Sequence, residues 1–89
     1  MHALVVRVSL GDAENARKIL NERVVPAVSQ SPGFVAGYWT WSDDQSNGQS
    51  MIVFESAEAA RTLEERIHGL VVEGATIEST EVREVVASA

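Results

Sequence analysis

The 89 residues, 45% hydrophobic and 22% charged, have the composition of a folded protein and the length of a single domain, 1–89, with one core. A net charge of −6 with scattered basic residues argues against nucleic acid and anionic membrane surfaces as partners. Cysteine is absent, which excludes disulfides and thiolate metal sites and leaves so small a core to gain its support from packing or from a partner.

Leu4, Val6, Val8 and Leu10 recur at period two in HALVVRVSL and predict a first strand over residues 2–10. Gly11 and Asp12 supply a turn and an N-cap. In the helix that follows, Ala13, Ala16, Ile19, Leu20, Val24 and Ala27 form one apolar stripe opposite Glu14, Arg17 and Lys18. Pro26 removes a backbone donor, so this helix should kink or restart there and end near Ser31, ahead of Pro32 and Gly33. FVAGYWTW at 34–41 predicts a second strand, SDDQSNG at 42–48 a turn, and Met51–Phe54 a third strand that closes a hairpin. Ser56 is an N-cap for a second helix whose Ala57, Ala60, Leu63 and Ile67 share a face as far as about His68, where Gly69 ends it. The last strand, Thr76–Val86, does not keep one alternation, and a bulge near Glu81 would account for the switch.

Two strand-helix-strand units joined by a hairpin most economically form an α+β, ferredoxin-like βαββαβ domain. Its four-stranded antiparallel sheet would have strands one and three at the centre and both helices on one face. The uncovered face of such a sheet should alternate to polar. Here it does not: Ala3 and Val5 oppose Leu4, Val6 and Val8 on the first strand, and Val35, Trp39 and Trp41 oppose Phe34, Ala36 and Tyr38 on the second. A second copy of the sheet is the simplest cover, so a homodimer is expected. No apolar run approaches the roughly 20 residues of a membrane span, and no basic start leads into an apolar leader, so a cytoplasmic protein is expected.

The order of elements, SPGFVAGYW at Ser31–Trp39 and VFESAEAA at Val53–Ala60 together resemble the dimeric α+β barrel superfamily. Within it they are most similar to the small antibiotic-biosynthesis-monooxygenase-like proteins, over essentially the whole chain. The resemblance implies a barrel made by two sheets meeting face to face. It does not fix an activity, because the superfamily spans cofactor-independent oxygenases, haem-degrading enzymes, isomerases and stress proteins. The haem-degrading members carry an asparagine on the first strand where this chain has Arg7, which argues against haem.

Tyr38, Trp39 and Trp41 could wall a pocket for a flat ligand, or fill core and interface as large aromatics ordinarily do. Arg7, among valines on a central strand, needs a carboxylate such as Glu55 or Glu84; failing that, it is the best anchor for an anionic or enolate oxygen. His68 could act as a general base or sit solvated at a helix end, while His2 falls where chains fray. No His-x-x-x-His spacing marks a metal site, no serine stands in a nucleophile elbow, and no cofactor is expected. Arg7, Tyr38, Trp39 and His68 are therefore the candidate ligand-binding set, with no catalytic role assigned. The function expected is that of a barrel dimer binding a small apolar or aromatic ligand. The alternative is a cofactor-independent monooxygenase acting on an aromatic or polyketide-like substrate.

Overall fold

The computed structural model describes residues 1–70 and 72–89. Its strands are β1 (His2–Leu10), β2 (Phe34–Trp41), β3 (Asn47–Phe54) and β4 (Ala75–Glu84), paired antiparallel in the order β2-β3-β1-β4. The first helical region runs from Ala13 to Ser29 as α1 (Ala13–Ile19), a π turn (Leu20–Val24) and α2 (Val25–Ser29); α3 covers Ala57–Ile67. Among the described residues the chain thus has the βαββαβ order and a ferredoxin-like α+β sheet with β1 and β3 at its centre.

The helix starts follow their caps. Asp12 Oδ1 accepts from the Asn15 N–H at 3.1 Å, and Ser56 Oγ accepts from the Ala59 N–H at 3.1 Å. At Pro26 the helix restarts, as expected, with the proline in the first turn of α2, but it already loosens in the turn before. The Val25 N–H reaches back five residues to the Leu20 carbonyl, and the Asn21 side chain donates to the Arg17 carbonyl at 2.9 Å. The wider turn lets Ala16, Leu20, Val24 and Val28 stay in one line at four-residue spacing, which a regular helix would spread by about 40° per step. Val28 is therefore the buried residue near the helix end, and Ala27 is exposed.

Even-numbered β1 and β3 positions face the helices. Leu4, Ile52 and Phe54 are fully buried against Val28, Ala60 and Leu63, each large side chain contributing roughly 1.5–3 kcal/mol. Two register shifts set the parity of the outer strands. Val35 is the extra residue between the Phe34–Phe54 and Ala36–Val53 pairs, so Phe34 and Trp39 both turn inward. In β4 the extra residue is Glu78, lying between Ile77, opposite Val8, and Ser79, opposite Arg7. The bulge thus falls three positions before the expected Glu81. Across the sheet, two helix-facing rows read Gly37, Ile52, Leu4, Val82 and Trp39, Ser50, Val6, Thr80.

The opposite face has no cover in the single chain. Its rows read Ala36, Val53, Ala3, Arg83; then Tyr38, Met51, Val5, Glu81; then Thr40, Gln49, Arg7, Ser79. Tyr38 is 72% exposed, and Val35 and Met51 are each 46% exposed. His2 does not fray: it pairs with Phe54 and Glu84 in β1, half-buried, and its buried Nδ1 has no hydrogen-bond partner.

Candidate functional site

Between the sheet and the helices, at the end where β1 runs toward α1, lies a cavity of about 440 Å³. Its size suits a small organic molecule. Val6, Val8 and Ile77 from the sheet and Leu20 and Val24 from the π turn supply apolar walls, with Trp39 and Trp41 on the β2 side. Two glycines make room for the indoles. A Cβ at Gly48 would stand 2.7 Å from Trp41 Cε3, and one at Gly37 would stand 3.0 Å from Trp39 Cη2, so each ring lies close over backbone.

Thr40 and Gln49 border the cavity from β2 and β3, and further polar groups lie where the end of α3 meets the sheet. His68, the C-cap of α3, borders the cavity together with Ser50, Thr76 and Glu78. Its Nε2 lies 3.3 Å from Thr80 Oγ1 on β4, so the ring is tied across to the sheet. Ser50 is the one buried polar residue among those described. No Lys or Arg borders the cavity, and His68 and Glu78 are its only titratable neighbours among the described residues.

Of the four residues singled out from the sequence, the structure brings Trp39 and His68 together at this cavity and separates the other two from it. Arg7 and Tyr38 lie on the uncovered face, because their positions have the opposite parity. Arg7 is exposed between Gln49 and Ser79. Its expected pairing with Glu55 or Glu84 is not made: the ion pair found among the described residues joins Arg83 to Glu81 at 3.1 Å. A guanidinium open to water in the single chain needs no such partner. Thr80, Ser50 and Gly48 were missed as site residues. Thr80 and Ser50 look like ordinary solvent-facing strand residues until the register is known, and Gly48 looks like part of the turn. No group of His, Asp and Glu able to hold a metal ion is found among the described residues. None of the described helices is long and apolar enough to cross a membrane.

No family model and no curated protein matches the sequence. Solved structures do match in fold. A cofactor-independent oxygenase, SnoaB from Streptomyces nogalater, superposes with a TM-score of 0.78 at 16% identity, over 98% of this chain and 94% of that one. The monooxygenase ActVA-Orf6 of Streptomyces coelicolor, solved with nanaomycin D, gives 0.59 at 17% identity over 99% and 92%. A dimeric ferredoxin-like protein from an uncultured marine organism gives 0.59 at 13% identity over 100% and 98%. At these identities the likeness is one of fold, and the ferredoxin-like arrangement expected from the sequence is the one found.

Proposed function

We propose that this protein binds a flat, largely apolar aromatic molecule in the cavity beneath Trp39 and Trp41, as a dimer paired through its uncovered sheet face. The observation that carries the reading is the cavity itself: aliphatic walls, two indoles and a few polar groups, in a volume of about 440 Å³. Apolar walls hold ring systems without directional demands, and the polar groups orient the ligand. The dimer rests on the apolar rows left open by Val35, Tyr38 and Met51, and accords with the dimeric description of one structural neighbour.

A second reading, cofactor-independent oxygenation of the bound ring system, is favoured by the descriptions of two neighbours as oxygenase and monooxygenase. One experiment separates the readings. Anthrone is added under nitrogen and the melting temperature followed; oxygen is then admitted and anthraquinone measured against a protein-free blank. In that oxidation the ring CH₂ becomes a carbonyl and O₂ leaves as one oxygen in the product and one in water. A thermal shift without accelerated quinone formation supports binding alone, and acceleration well above the blank supports oxygenation. No shift with anthrone or with its product would overturn both.

A further inference from the structure

We propose that the groove between the first helical region and α3 is a second binding site, one that takes a straight-chain alkyl anion with its tail on Val28 and Leu63 and its head at Arg23 and Arg66. This site is separate from the inner cavity, although Val24, Leu70 and Val72 line both.

The groove has a volume of about 410 Å³, which suits a small organic molecule. Its apolar lining comes from both helical elements: Val24, Ala27 and Val28 on one side and Leu63 on the other, with Val28 and Leu63 buried at 3% and 5% exposure. Ala27 and Leu70, both exposed, leave apolar surface open to water along it. Two helix turns, a cylinder about 10 Å across and about 11 Å long, would need roughly twice this volume, so a peptide helix is too thick to be the occupant. An extended alkyl chain is thin enough, and it brings no backbone polar groups into a lining with few partners for them. Ser31, the one hydroxyl in that lining among the described residues, already donates to the Ala27 carbonyl at 3.5 Å.

Charge decides the head group. The chain has 13 acidic residues and 7 basic ones, yet among the described residues no carboxylate lines this groove and two arginines do, one from each wall. Glu22 and Glu65 precede these arginines in the sequence but are not part of the lining. Neither Arg23 nor Arg66 is in an ion pair among the described residues, where the pair found joins Arg83 to Glu81. Both residues are exposed, so their stems can lie on apolar surface while the guanidinium groups meet water, where an anionic head also stays hydrated. An anion thus gains charge pairing without being buried; a neutral or cationic head does not. The groove belongs to the helix layer, across the sheet from the face assigned to the dimer, so pairing leaves it open.

Decanoate, decanol and decyltrimethylammonium share one tail and differ in charge, and amide NMR of the labelled protein both locates and quantifies their binding. Decanoate should shift the amides of Ala27, Val28, Leu63 and Gly69 saturably, ahead of those of Val8 and Ile77 at the inner cavity, and should bind about fivefold or more tightly than decanol. The ammonium should give no saturable shift. In Arg23→Gln/Arg66→Gln the affinity for decanoate should fall about fivefold or more, to that of decanol, whose own affinity stays unchanged and shows that the groove is still folded. Arg61→Gln, at an exposed arginine of α3 outside this lining, should leave decanoate binding as in wild type. Equal affinity for decanoate and decanol in wild type, or shifts confined to Val8 and Ile77, overturns the proposal. So does binding only to anionic phospholipid vesicles, which would place both arginines at a membrane surface.

Discussion

Asp44 shows how one side chain can close a hairpin. Its Oδ1 accepts from the Ser42 and Ser46 hydroxyls at 2.8 and 2.7 Å and from the Ser46 N–H at 3.0 Å, in the turn between β2 and β3. These bonds, the Ser46 hydroxyl foremost, favour the ionised form and hold its carboxyl below the usual aspartate value. A depressed folded value means that the contribution of Asp44 is fully present above its unfolded value and is lost as pH falls through the folded one. Carbon NMR of the Asp44 carboxyl should therefore titrate below an unstructured aspartate, and Ser46→Ala should move the midpoint upward. A midpoint insensitive to Ser46 would mean that the turn is open in solution. The serine-rich turn was legible in SDDQSNG, but its boundaries were not: β3 begins at Asn47, because the Ser42 N–H already pairs with the Asn47 carbonyl at 2.8 Å.

Among the elements, the corner that joins β1 to α1 depends on β4. The Gly11 and Asp12 N–H groups both donate to the Gly74 carbonyl, at 2.8 and 3.1 Å, and Gly74 itself has φ +94°. A Cβ there would fall onto the Asp12 carbonyl oxygen. Gly74→Ala should thus cost about 2 kcal/mol or more in reversible denaturation, from left-handed strain and the displaced corner together. A loss below about 0.5 kcal/mol would show that the corner shifts without penalty. Strands and helices were largely legible because alternation and the Ser56 and Asp12 caps are local signals. The parity of β2 and β4 was not, because the extra residues Val35 and Glu78 carry no mark in the chain and are set by pairing with distant strands. Parity in turn decides the site. It carries Trp39 inward and Tyr38 outward, and it brings Thr80 within reach of His68. Arg7 lacks the carboxylate partner expected for it for a related reason: a guanidinium between valines looks buried until one face of its strand is known to lack helices.

For the molecule as a whole, the uncovered face makes behaviour depend on concentration. Met51 stands at the centre of that face, between Tyr38 and Val5 and 46% exposed in the single chain. In a monomer, Met51→Asp should change stability by less than about 0.5 kcal/mol. In a dimer closed over this face it buries a charge on each side of the twofold axis, and sedimentation equilibrium should show the dissociation constant rising by about tenfold or more. Equal sedimentation of wild type and variant as single chains at micromolar concentration would remove the dimer. Ala3 and Val5, already buried on this face by their neighbours, would add little to such a contact. Val35, Tyr38 and Met51, from β2 and β3, would carry it.

The π turn at Leu20–Val24 amounts to one residue inserted into a helix, and its persistence is tied to Pro26 downstream. Removing Glu22 would restore a regular frame and bring the Pro26 ring against the carbonyl four residues earlier. The deletion alone should therefore lower the melting temperature, and Pro26→Ala should act as its suppressor, rescuing much of the loss in the double variant. Effects that merely add would uncouple the two features. Because Leu20 and Val24 wall the cavity from this same turn, the length of one helix and the size of the ligand space should change together.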